Sequence, residues 1–117
     1  MAFYLYVREN KYWNHENIYK IGITSNIQES HNIYIKHELE AGTFILVFEI
    51  NEIDIAFFES DFKCFFREYN RYVNGATELY YRQIVPHIIP YLFQKEINYR
   101  MLSNNDIETS NSFFISY

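Results

Sequence analysis

Thr43 to Ile50 reads Thr-Phe-Ile-Leu-Val-Phe-Glu-Ile, eight residues that are apolar almost throughout and β-branched at several positions. A run of that length and composition fits a strand buried on both faces. It commits the chain to a sheet and predicts the third, central strand. Two further β-rich stretches precede it, Phe3 to Val7 and Ile18 to Ile23, separated by a polar run from Arg8 to Asn17 that has the grammar of a long-looped hairpin.

Helical signals fill the remaining spaces. Thr24-Ser25-Asn26 offers capping side chains, and Ile27, Ile33, Tyr34 and Leu39 recur near helical spacing until Ala41-Gly42, which predicts a helix over about 27–39. After Asn51, the residues Ile55, Phe58, Phe62, Phe65 and Tyr69 fall three or four apart and predict a long amphipathic helix with Glu59, Asp61, Lys63 and Glu68 on its other faces. Asn74-Gly75 signals a turn, Thr77 to Tyr81 a short strand or helix entry, and Gln83 to Phe93 a helix interrupted by Pro86 and Pro90, with Pro86 suited to a first turn. From Gln94 the texture is that of a linker until Phe113-Phe114-Ile115-Ser116-Tyr117 turns apolar again. The reading is a domain over 1–93 and a tail or hinge over 94–117 that leads toward a further domain, in the order β-β-α-β-α-(β)-α.

Composition narrows the class. The chain has 117 residues, enough for one core. Its 12 Tyr and 11 Phe exclude disorder over most of the length. A net charge of −5 argues against a broad cationic surface that binds DNA through phosphates alone, so any nucleic-acid contact is local, with a fused or partner domain supplying affinity. Cys64 is the single cysteine, which rules out a disulfide within the chain and a cysteine-based zinc cluster and suits an intracellular protein. No stretch is apolar for the roughly 18 residues of a membrane span, so no membrane partner is expected.

Tyr4-Leu5-Tyr6 in the first strand, followed by Lys20-Ile21-Gly22 in the second, resembles the paired motifs of the GIY-YIG nuclease superfamily. The wording from Tyr19 to Asn26, and Gly75-Ala76-Thr77-Glu78-Leu79-Tyr80 later, is similar to a phage- and large-virus-associated branch in which the second tyrosine position is often lysine. The likeness spans Phe3 to Leu92. It implies an α+β fold, a small three-stranded antiparallel sheet flanked by helices. It also implies a metal-dependent endonuclease acting on DNA, from a viral, phage or mobile-element protein. One Mg²⁺ or Mn²⁺ would be held by a glutamate on a helix, with an arginine steadying the phosphate and tyrosines handling the attacking water.

Carried over by position, Tyr6 matches the first-motif tyrosine, Lys20 stands at the second with Tyr19 beside it, and Glu59 matches the metal ligand, a hard oxygen donor suited to the ion. Thr24 and Lys36 fall at substrate-binding positions. The arginine position, eight residues beyond Gly22, holds Ser30, which cannot replace a bidentate guanidinium. The chain is therefore expected to cut slowly or not at all, either as a natural binder or as an inactivated form of an active enzyme. Tyr34, four residues on, matches where relatives often keep a histidine. Glu78 reads as a brace for the last helix or for the site. His31 and His37 are six apart and do not form a metal pair. The Phe-rich stripe reads as core, with surplus available to a partner or to a second copy in a homodimer. The alternative is a nucleic-acid-binding or protein-interaction module without catalysis.

Overall fold

A computed structural model describes residues 2–9, 17–27, 42–51, 53–71 and 78–102. The predicted helix over 27–39, with Ser30, Tyr34 and Lys36, lies outside them apart from Ile27.

Strands β1 (Phe3–Glu9), β2 (Ile18–Thr24), β3 (Thr43–Ile50), β4 (Leu79–Tyr81) and β5 (Tyr99–Met101) form one sheet in the order β4-β2-β1-β3-β5. Every pairing is antiparallel. The predicted antiparallel α+β architecture holds, with five strands rather than three. The two additions are three-residue edge strands, and β5 draws part of the expected linker into the sheet. The centre is β1, not the apolar run of β3, which lies between β1 and β5.

On β1, Phe3, Leu5 and Val7 point into the main core, beside Ile21 of β2 and Phe48 and Ile50 of β3. Its even-numbered side chains face the other way, where Tyr6 packs with Phe44 and Val47. A bulge in β3 makes the second cluster possible. The register steps from Leu46 opposite Val7 to Phe44 opposite Arg8, leaving Ile45 as an extra residue. That inserted residue turns Phe44 onto the Tyr6 side. There its ring meets Tyr6 at 5.3 Å, and the Arg8 guanidinium lies 4.8 Å above it. Arg8 is fully buried and donates to the Gly42 carbonyl at 3.1 Å, as a buried cation requires.

Helices α1 (Ile55–Phe65) and α2 (Val85–Gln94) cover the main-core face. Asp54 caps α1 by accepting from the Phe57 amide at 3.2 Å. The buried line of α1 is Phe58, Phe62 and, just past its end, Phe66. Phe65, expected on that line, is 44% exposed. A 3₁₀ turn at Arg82–Ile84 leads into α2, with Pro86 in its first turn and Pro90 inside it. Tyr91 of α2 enters the Phe cluster, 5.6 Å from Phe62 and 5.2 Å from Phe66, and its hydroxyl donates to Asp61 at 2.7 Å. Past α2, Glu96 adopts a left-handed φ of 57° and the Ile97 amide returns to the Leu92 carbonyl. This reversal sends the chain into β5. Among the described residues, no helix is long and apolar enough to cross a membrane.

Phe62 touches Phe58, Phe66, Tyr80 and Tyr91 and is the node of the aromatic core. Phe62→Ala is expected to cost about 3–5 kcal/mol, read as a lower urea midpoint, whereas Phe57→Ala at a 62% exposed position on the same helix should change it little.

Candidate functional site

Strand alternation divides the residues singled out by sequence. Tyr6 stands opposite Gly22 in the β1–β2 ladder, and Arg8 stands opposite Lys20, so these four share the face away from α1. Tyr19 lies on the helix-covered face against the main core, under the Arg82 guanidinium at 4.7 Å. Tyr19 and Lys20 are therefore neighbours in sequence on opposite faces. Thr24 ends β2, where its hydroxyl accepts from the Asn26 amide at 3.1 Å and closes the turn.

The β2–β4 pairing covers Ile18 to Lys20 and ends with the Ile21 amide donating to the Glu78 carbonyl at 2.9 Å. Among the described residues, Gly22 and Ile23 have no β4 partner, and a small cleft opens there between β2, β4 and α1. Glu59, Lys63, Glu78, Tyr80 and Gly22 line it, with Leu5, Ile21 and Phe62 as its floor. Its free volume is about 20 Å³, room for a water or an ion. Glu59 accepts from Lys63 at 3.0 Å one turn along α1, and Glu78 pairs with Lys20 at 3.8 Å. Lys20 thus joins the cleft through Glu78, whose carboxylate offsets the charge that Lys20 brings opposite Arg8 in the ladder.

Tyr6 lies over Gly22 on the other face of β2. A side chain at position 22 would put its Cβ on the Tyr6 hydroxyl and Cζ, and 2.9 Å from the ring carbon Cε2. The missing side chain of Gly22 is what lets the Tyr6 phenol lie across β2 at that residue, and Tyr6, only 4% exposed, has little freedom to withdraw. Glycine here serves close approach, not an unusual φ.

Tyr80 reports the electrostatics. Burial raises its pKa from 10.0 to about 12, the Asn70 hydrogen bond works in the opposite direction, and the charges of Glu78 and then Glu59 add to the rise. Both carboxylates therefore act on one phenol at the cleft wall. Glu78, expected only as a brace, lines the cleft with Glu59. Its place in a short motif beside a tyrosine was the sequence signal, but three residues of strand do not reveal what they face. Among the described residues, no three His, Cys, Asp or Glu side chains gather as a complete metal site. Two carboxylates at one small cleft do fit an ion such as Mg²⁺, which keeps several waters and uses one or two protein carboxylates.

The sequence matches no family model, and neither a curated protein nor a solved structure matches it.

Two outcomes are expected. Gly22→Ala should destabilise by about 1–3 kcal/mol through overpacking, with most of the loss recovered in Gly22→Ala/Tyr6→Leu; equal losses in single and double variants would show that Tyr6 is not the clashing group. Because the folded-state pKa of Tyr80 lies above that of a free phenol, its contribution to stability is complete below about pH 10 and is lost as the pH rises through about 12. In Glu78→Gln the Tyr80 midpoint, followed by NMR of the ring carbons, should move down while staying above 10.0, since burial, the larger cause, remains.

Proposed function

We propose that this chain is a GIY-YIG-type endonuclease domain whose cleft takes one Mg²⁺ or Mn²⁺ on Glu59 and Glu78 and whose substrate is a phosphodiester of DNA, with hydrolysis impaired at Ser30. The observation that carries the reading is the pairing of Tyr6 with Gly22, with the Tyr6 phenol lying over the bare Cα of a glycine that also lines the cleft Glu59 overlooks. The two short segments on which the resemblance rests are thereby antiparallel neighbours, and the carboxylate matched to the metal ligand stands at the same end of β2.

The protein groups divide the work. Glu59 and Glu78 would hold the ion, which supplies positive charge to the phosphoryl oxygens. Lys20, paired with Glu78 at 3.8 Å, would present its ammonium to a phosphate oxygen. The Tyr6 hydroxyl would orient the attacking water. Ser30 offers a neutral hydroxyl where a guanidinium would brace the phosphate, and losing such a contact costs several kcal/mol of barrier. With a net charge of −5, affinity for DNA would come from a fused or partner domain. The second reading, a nucleic-acid-binding module without catalysis, draws support from the lysine already paired to each cleft carboxylate.

Ser30→Arg is expected to raise cleavage of DNA in Mg²⁺ by about 10²-fold or more, and Glu59→Gln in that background should remove the gain. Equal rates in the starting chain and Ser30→Arg, or cleavage by neither, would sink the catalytic reading; salt-dependent DNA binding that persists in Ser30→Arg without cleavage would select the second.

A further inference from the structure

The charges around the cleft cancel. Glu59 and Glu78 bring two negative charges, and Lys63 and Lys20, paired with them at 3.0 Å and 3.8 Å, bring two positive ones. Two carboxylates alone would be neutralised by a divalent ion. Here the lysines already balance them, so an ion seated on Glu59 and Glu78 leaves the cleft with two uncompensated positive charges, which an anion at its mouth relieves.

One of the two lysines stands where that anion must lie. The free volume of about 20 Å³ holds an ion or a water and excludes a phosphate group, so a phosphate meets the ion only at the rim. Lys63 lines the cleft with its side chain 43% exposed, whereas Lys20 is 24% exposed and borders the cleft only through Glu78. The Lys63 ammonium has three N–H donors and reaches Oε1 of Glu59 with one of them. Two donors are left for phosphate oxygens, and Oε2 of Glu59 is left for an ion.

The geometry points to Lys63 as a phosphate-binding residue that makes the binding of a divalent ion and of a phosphodiester monoanion interdependent, each raising the affinity for the other. This role rests on the reading of the cleft as an ion site. It adds a residue that the sequence placed only on an outer face of α1. The factor by which a phosphodiester tightens the ion is, by linkage, the factor by which the ion tightens the phosphodiester.

Mn²⁺ titrated into the isotope-labelled full chain at low ionic strength, where exposed charges are least screened, is followed through paramagnetic broadening of the Gly22 and Ile23 amides. The titration is run alone, with the thymidine dinucleotide dTpdT, which carries a single phosphodiester, and with thymidine, which carries none. dTpdT should tighten Mn²⁺ binding about five-fold or more, thymidine should not, and most of the coupling should vanish in Lys63→Met and persist in Lys63→Arg. Broadening indifferent to dTpdT, equal tightening by thymidine, or a coupling that survives Lys63→Met would overturn the role of Lys63 and leave the ion site standing. Absence of broadening with and without dTpdT would instead remove the ion site itself, and the coupling with it.

Discussion

β1 is hydrogen-bonded along both edges and covered on both faces, and five of its seven residues are buried, so its register has no free direction in which to slip. A shift by one residue would exchange Leu5 and Val7 for Tyr6 and Arg8 on the main-core side. Arg8 would then face Phe48 and Phe58 with neither its carbonyl acceptor nor the Phe44 ring, leaving a buried charge uncompensated. The bulge at Ile45 reinforces the register by supplying Phe44 where Arg8 and Tyr6 need it. From that fixed register follows the placement of Tyr6 opposite Gly22, and from Gly22 the access of a phenol to the end of β2.

At that end the cleft carboxylates are counterbalanced by mobile groups. The Glu59–Lys63 pair is an exposed i,i+4 pair, a class worth about 0.3–0.5 kcal/mol. So weak a pair leaves Glu59 able to exchange Lys63 for another partner at small cost. The Lys20–Glu78 contact at 3.8 Å is looser still. A rigid, buried pair in the same place would have closed the cleft to any ligand. Tyr80 supplies the opposite property: buried and held neutral by its surroundings, it gives the cleft a fixed wall that does not add a third negative charge.

The longer elements were legible because each carries a period. Seven- and eight-residue strands and the Phe-rich helix announce themselves through alternation or i, i+4 spacing, whereas β4 and β5, at three residues each, hold too few positions to show any. β5 is exposed at all three residues and exists because the β3 edge offers backbone partners, a cause invisible in side-chain pattern. The centre of the sheet was misplaced for a related reason. Apolarity pointed to β3, while the charge of Arg8 disguised β1, whose burial depends on a carbonyl and a ring brought from distant sequence. The expected phase of α1 differs by one position at Phe65 because Phe65 and Phe66 are chemically identical and both touch Tyr91; the contact with Phe62 belongs to Phe66. Of the candidate site, Glu59 was singled out through resemblance, while the place of Glu78 in the cleft lining and the contact of Tyr6 with Gly22 needed the β2–β4 and β1–β2 registers.

One helix carries the cleft on one flank and a separate surface on the other. Phe58, Phe62 and Phe66 step by four along the core line of α1. One residue later, turned by about 100°, Glu59 and Lys63 repeat the same step toward the β2–β4 cleft. One residue earlier, Phe57 and Asp61 repeat it in the opposite sense toward α2 and β5. The two flanks are thus parallel stripes on opposite sides of a single buried line, with the aromatic core between them. A change confined to one stripe leaves the other's neighbours in place, whereas a change at Phe62 disturbs both. Side chains that reach solvent on the two flanks therefore encode separate properties, and the Phe line couples each of them to the stability of the whole.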